Sequence, residues 1–325
     1  MNLGNLKLNG NIFLAPMAGI TDIPYRRIMK RFGAALVYSE MISANGLVRA
    51  GAKTRQLMLS SPEEQPLGIQ LFGSDPEIMA EAAREAAPYA QLIDLNFGCP
   101  AKKVIRAGAG CALMRNPERI GRIVAAVRNA TSLPLTVKIR AGWDNDSVNY
   151  LEVARLAAAE GADAVTLHPR TRSQGFGGKA DWSLIRRLKN AIDVPVIGSG
   201  DIFTPEDGLE MERNTGCDAI MVGRGSFGNP WLLQNIHNLQ NELPLQVPSR
   251  LERYCTLRDH WQMFIHFYGP RRAVGHMRKH LAWYARGMND ACEFRHKVNR
   301  ALTPEGLIEA IDGFFGPTEP GDLRV

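Results

Sequence analysis

The sequence predicts an α/β fold, a TIM (β/α)8 barrel followed by a smaller all-helical C-terminal domain, and three observations carry that prediction. Short apolar runs begin near Asn11, Leu36, Leu67, Leu92, Leu135, Ala164, Val194 and Ala219, with helical periodicity across most of the intervening stretches. A capping residue stands before proline at Asp75-Pro76, Asn116-Pro117, Thr204-Pro205 and Asn229-Pro230. Proline suits a first helical position because the amide it lacks would be unpaired there anyway. After Asn241 the pattern changes, Leu243-Pro244-Leu245-Gln246-Val247-Pro248 having the composition of a linker, and the rest is helical, rich in Arg, His and aromatics, with no strand signal. The expected domains are a barrel over residues 1–242 and a basic helical domain over 243–325.

The length of 325 residues fits this division, since a barrel alone takes about 250. Apolar residues make up 45% and charged residues 22%, which excludes a disordered chain. There is no basic-then-apolar leader and no run approaching the roughly 20 apolar residues that span a bilayer, so the sequence predicts a cytoplasmic protein with no membrane partner. Five cysteines (99, 111, 217, 255 and 292) are scattered without a C-x-x-C pair. They are expected to be free thiols, with neither a disulfide framework nor a metal site, and those other than Cys99 to serve packing. The net charge is +6, and between Arg250 and Arg300 there are 11 Lys/Arg against four acids, so this segment can account for the whole excess. A basic unit of this kind suits either a polyanionic partner or a solvated helical face.

Taken in chain order, the strands point polar groups inward. Alternate residues of a barrel strand face the interior while β-branched and other apolar neighbours pack against the helices. Ile69-Gln70-Leu71 sends Gln70 inward, Ile93-Asp94-Leu95-Asn96 sends Asp94 and Asn96, Val137-Lys138-Ile139-Arg140 sends Lys138 and Arg140, and Val165-Thr166-Leu167-His168 sends Thr166 and His168. Burying such groups without partners costs several kcal/mol each. Either a polar or anionic ligand fills the mouth, or the interior is water-filled or the groups pair among themselves, Asp94 with Lys138 for instance. The seventh and eighth strands end in Gly198-Ser199-Gly200-Asp201 and Val222-Gly223-Arg224-Gly225-Ser226, where glycines expose backbone amides as a phosphate cradle. A weak repeat, Gly161-Ala162-Asp163-Ala164-Val165 and Gly216-Cys217-Asp218-Ala219-Ile220, marks helix ends feeding strands, with Gly33-Ala34-Ala35-Leu36-Val37 similar.

These residues resemble the tRNA-dihydrouridine synthases, specifically the bacterial B type. The resemblance is carried by Ala15-Pro16-Met17-Ala18-Gly19-Ile20-Thr21-Asp22, Ser39-Glu40-Met41, Gln70, Asn96-Phe97-Gly98-Cys99-Pro100, Lys102-Lys103-Val104, Val137-Lys138-Ile139-Arg140, His168-Pro169-Arg170-Thr171, Gly200-Asp201 and Gly223-Arg224-Gly225. It implies that FMN lies across the barrel mouth, with Pro16, Met17 and Ala18 under the ring and Gln70, Lys138 and His168 around its polar edge. Ser199, Gly200, Asp201, Gly223 and Arg224 would bind the ribityl phosphate, and NADPH would reduce the flavin. Hydride would pass to C6 of a D-loop uridine in tRNA, and Cys99 would protonate C5 as general acid. Asn96, Arg140 and Arg170 would contact the target nucleotide or its phosphate, and the uridine must flip out of its stack to reach the flavin.

Within that resemblance, Arg271-Arg272, Arg278-Lys279-His280, Arg286, Arg295-His296-Lys297 and Arg300 would grip the tRNA backbone while Trp261, Tyr268, Trp283 and Tyr284 pack or stack. Two departures stand out: Ser199 where the family has Asn, and Pro169 where it has Gly. The competing functions are an FMN-dependent barrel oxidoreductase for a free pyrimidine or other small molecule, and a non-catalytic RNA-binding regulatory protein.

Overall fold

Each apolar run forms a strand in the computed structural model, which describes residues 1–49 and 51–316. The strands are β1 (Ile12–Leu14), β2 (Val37–Tyr38), β3 (Leu67–Phe72), β4 (Leu92–Asn96), β5 (Leu135–Arg140), β6 (Ala164–His168), β7 (Val196–Ser199) and β8 (Ala219–Val222). All pair in parallel in ring order, β8 returns to β1, and the bridge Phe13–Leu36 closes the barrel between β1 and β2. A short strand, Ile42–Ser43, adds to the end of β3. The helices following the strands are α1 (Ile23–Arg31), the short Ala44–Val48, α2 (Pro76–Ala86), α3 (Pro117–Ala130), α4 (Tyr150–Ala159), α5 (Ser183–Lys189), α6 (Pro205–Thr215) and α7 (Trp231–Gln240).

Local chemistry fixes these boundaries. Asp75, Asn116 and Thr204 each accept backbone N–H groups at the start of α2, α3 and α6, with proline next in line. At Asn229-Pro230 the expectation shifts by one residue: α7 begins at Trp231 with Pro230 at the cap, because the chain already turns at Asn229, whose N–H reaches Ser226 O. The internal repeat has a mechanical meaning. Asp163 Oδ2 accepts Leu135 N–H at 2.8 Å and pairs with Arg128, while Asp218 Oδ2 accepts Val196 N–H at 2.8 Å and pairs with Lys189. Each aspartate satisfies the first amide of the neighbouring strand and thereby sets the register.

The alternation predicted for the strands holds. Ile69, Leu71, Ile93, Leu95, Val137, Ile139, Val165 and Leu167 pack outward in the core shared with the helices. The lower interior is filled by Phe13, Leu36, Tyr38, Leu92, Ala164, Ile197, Ala219 and Met221. A hairpin of Asn2–Leu3 and Leu6–Lys7 puts Leu3 and Leu8 against this set at the N-terminal ends of the strands, forming a floor. The polar inward residues are left at the opposite end.

Beyond the exposed segment that contains Leu243, Leu245 and Val247, four helices follow: α8 (Arg250–Tyr268), α9 (Pro270–Tyr284), α10 (Ala291–Arg300) and α11 (Pro304–Phe315). They share a second core that includes Leu257, Trp261, Phe264, Met277, Leu281, Tyr284, Phe294, Ile311 and Phe315. Residues 317–325 of the expected helical domain lie outside the described residues. Trp261 and Tyr284 are interior, and Trp283 stacks on Phe227 of the barrel at 4.1 Å, so these aromatics pack rather than face solvent.

The basic residues divide. Arg271, Arg272, Arg286, Arg295, His296, Lys297 and Arg300 are exposed, but Arg278 donates to Ala301 O, Lys279 to Gly19 O, and His280 is buried. Of the cations expected to grip the tRNA backbone, Lys279 and His280 thus face the barrel, His280 with its ring 5.3 Å from that of Tyr25, while Arg278 is tied to the end of α10 within the helical set. Cys111 and Cys217 are buried, but Cys255 and Cys292 lie exposed on helices, which corrects their expected packing role. Among the described residues no helix is long and apolar enough to cross a membrane.

Candidate active site at the barrel mouth

A cavity of about 550 Å³ opens at the C-terminal ends of the strands. Its wall contains Pro16, Met17, Ala18, Gln70, Asn96, Cys99, Lys138, Arg140, His168, Ser199, Gly200, Asp201, Gly223 and Arg224, which is every residue the resemblance assigns to acid, cofactor or nucleotide except Arg170; Asp94 and Thr166, also expected to point inward, lie below the cavity wall. Among the described residues no group of three or more His, Cys, Asp or Glu side chains is gathered to hold a metal ion.

Four inward polar residues form one directional chain. Asp94 is buried and can only accept when ionised; it takes Thr136 Oγ1–H and Gln70 Nε2–H, each at 2.6 Å. That choice leaves Gln70 Oε1 to accept Asn96 Nδ2–H at 2.7 Å. Asn96 Oδ1 then accepts the backbone N–H groups of Gly98 at 3.1 Å and Cys99 at 2.9 Å. The polarity of both carboxamides is fixed from the two ends, by a carboxylate and by backbone donors. Asn96, expected to meet a nucleotide, therefore holds the Cys99 turn while facing the cavity.

Lys138 lies beside Asn96 in register across β4 and β5. Burial lowers its pKa to about 8 despite the nearby Asp94 charge, and burial raises Asp94 to about 6 against its hydrogen bonds and Lys138. At neutral pH the pair is therefore a cation and an anion. Asp94 oxygens already serve Thr136 and Gln70, and the Lys138 ammonium makes no ion pair among the described residues; it faces the cavity. Burial, then the charges of Lys138, Arg140, Arg170 and Arg224, depress His168 so far that its imidazole is neutral. Arg170 Nη1 approaches His168 Nε2 at 3.4 Å; a guanidinium only donates, which puts the ring proton on Nδ1.

Arg170 stands apart from the cavity. It is 1% exposed and grips Asp201 with both terminal nitrogens at 2.8 and 2.6 Å while also donating to Gly177 O and Gly178 O. Asp201, in a left-handed conformation at φ 56°, also takes Ala180 N–H at 2.8 Å and Arg224 Nη2 at 3.2 Å. Partial burial opposes its ionisation, but Arg170, Ala180 N–H and Arg224 outweigh this and hold the carboxyl below its usual range. Gly200 precedes it at φ 117°, and a Cβ there would sit 2.9 Å from the His168 ring. Only glycine lets this turn and His168 share the wall. Arg140 braces the same region, donating from Nε to Gly98 O at 3.0 Å and from Nη1 to Thr171 O and Gly175 O.

Cys99 is half-buried on the wall. Burial raises its thiol pKa, and the hydrogen bond from Ala101 and the charge of Arg140 offset this only in part, so the thiol carries its proton at neutral pH. Two rim residues were missed from the sequence: Phe176, 56% exposed under Arg224 at 4.4 Å and Arg140 at 5.5 Å, and Phe203, 47% exposed. The signal for Phe176 was its place among glycines in Gly175-Phe176-Gly177-Gly178. An aromatic there has no core to fill.

The dihydrouridine synthase (Dus) family profile matches residues 13–314. The tRNA-dihydrouridine synthase B of Pasteurella multocida is 40% identical over 317 residues, covering 97% of this chain and 96% of that protein. The tRNA-dihydrouridine synthase B of Xanthomonas campestris is 41% identical over 317 residues with the same coverages. Among solved structures, morphinone reductase superposes with a TM-score of 0.53 at 14% identity over 78% of this chain and 91% of that one. The old yellow enzyme homologue from Zymomonas mobilis gives 0.50 at 13% identity over 78% and 94%. Both likenesses concern the barrel fold.

Proposed function

The chain belongs to the dihydrouridine synthase family, and from that premise we propose that it reduces a D-loop uridine of tRNA to 5,6-dihydrouridine in the cytoplasm. The observation that carries this reading is the protonated Cys99 thiol on the same wall as the unpaired Lys138 cation, its turn fixed by Asn96. Saturating the base requires a hydride at C6 and a proton at C5. The mouth would hold FMN, which, once reduced by NADPH, would supply the hydride.

The residues present fit that cofactor. Pro16, Met17 and Ala18 offer an apolar wall for a planar ring, and Gln70, Lys138 and neutral His168 line its polar edge. Among the described residues Lys138 makes no ion pair, so its charge would be available to negative charge developing on the ring. The glycine turns at Ser199–Asp201 and Gly223–Arg224 suit the phosphate. The negative charge of Asp201 is countered there by Arg170 and Arg224, which leaves the turn receptive to an anion.

Cys99 acts as general acid. Its raised pKa keeps the proton available until enolate-like charge builds on the base, and solvent then restores the thiol. Exposed Arg271, Arg272, Arg286 and Arg300 would take the phosphate backbone, a surface for which a free pyrimidine has no use. The test is Cys99→Ala. The variant should bind FMN and accept electrons from NADPH but form no dihydrouridine on tRNA; a normal yield would remove Cys99 as the acid.

A further inference from the structure

The loop from Met17 to Asp22 carries part of the cavity wall and leads into α1, and it is held from two sides. Within the loop, Met17 N–H donates to Thr21 Oγ1 at 3.1 Å, and Ile20 and Thr21 N–H donate to Met17 O at 3.0 Å. From the barrel, Arg26 Nη1 donates to Thr21 O at 2.7 Å, and the Glu40 carboxylate accepts Gly19 N–H. From the helical domain, the Lys279 ammonium donates to Gly19 O, and Tyr268 O–H donates to Asp22 Oδ2 at 2.8 Å. The Gly19 residue, at φ 73°, is thus clasped through its N–H by an acid of one domain and through its C=O by a cation of the other.

The second loop on this side makes the same contact. Phe227 stacks on Trp283, and Gly228 lies so close to α9 that a Cβ would fall 2.3 Å from the Trp283 carbonyl carbon. Lys279 and Trp283 are four residues apart and so share one face of α9. That face meets both cavity loops that flank Met17 and Gly223.

We propose that Lys279 and Tyr268 are positioning residues of the cofactor pocket, and that the docked helical domain completes that pocket before any tRNA arrives. The inference rests on the flavin reading above and adds to it a structural dependence of the barrel on its appendage. It assigns Lys279, which composition places with the RNA-facing cations, to the domain junction instead.

The test uses full-length apoprotein titrated with FMN in the absence of tRNA, followed by fluorescence and by the visible circular dichroism of the bound flavin. Lys279→Met and Tyr268→Phe, each removing one hydrogen bond, should weaken FMN binding by about threefold to tenfold and change the dichroic band. Lys279→Arg, which keeps a donor, should restore most of the affinity. Arg31→Gln serves as control: it removes the exposed Arg31–Asp259 pair at the far end of α1, which joins the domains without touching the loop. Binding within twofold of the parent in both test variants would overturn the proposal, and so would an equal loss in Arg31→Gln. A parent that binds no FMN would instead overturn the flavin reading, and this inference with it.

Discussion

Replacing Asn96 by alanine should separate the two halves of the reaction. The substitution removes a carboxamide that accepts from Gly98 and Cys99 N–H and donates to Gln70 Oε1. Gly98 and Cys99 line the cavity, so their freed amides regain water, at about 0.5–1 kcal/mol each. Gln70 is 1% exposed. Its orphaned oxygen costs about 1–3 kcal/mol, and the sum is about 3 kcal/mol of lost positioning around the thiol. A displacement of about 1 Å at a reacting group lowers rates by roughly a hundredfold. Stopped-flow reduction by NADPH should change by less than about threefold, while single-turnover dihydrouridine formation by the pre-reduced enzyme should fall about 30- to 100-fold. Product formation within threefold of the parent, or an equal loss in both half-reactions, would refute the role of the hydrogen-bonded chain.

Other expectations follow from the same geometry. With the Lys138 pKa near 8, its charge is present below that pH and lost above it. FMN affinity should therefore fall by up to about tenfold between pH 7 and 9, and Lys138→Met should flatten that profile when followed by titration calorimetry. In Gly228→Ala, a Cβ forced against the Trp283 backbone at positive φ should destabilise domain docking by at least about 3 kcal/mol. Limited proteolysis in the 243–248 segment should then accelerate. Replacing Arg271, Arg272 and Arg286 together by alanine should raise KM for tRNA with kcat little changed. The same triple variant should flatten the salt dependence of binding, its logarithmic slope falling by roughly one unit for each phosphate no longer neutralised.

Much of this was legible in the sequence because strand periodicity is geometrically strict. Once Val137 and Ile139 pack outward, Lys138 and Arg140 have nowhere to go but in, and the same logic delivered Gln70, Asp94, Asn96 and His168 to one end of the barrel. What periodicity does not encode is which inward group satisfies which. Asp94 and Lys138 invited pairing on charge alone, but a nearer hydroxyl and carboxamide claim the carboxylate. Arg170 sits in a motif that suggests ligand contact, yet Asp201, 31 residues away in the chain, captures it. In the helical domain a count of cations identified a basic unit without knowing that α9 turns Lys279 toward Gly19, since that depends on how two folded bodies meet.

The floor formed by Leu3 and Leu8 caps the barrel at the end opposite the mouth. All four residues of the Thr136–Asp94–Gln70–Asn96 chain are buried, and Gln70 and Asn96 meet solvent at the mouth. Whatever occupies the mouth therefore governs how quickly their carboxamide protons trade places with deuterium. Their exchange lifetime becomes a clock for ligand residence, readable by NMR on the Gln70 and Asn96 carboxamides without following turnover at all.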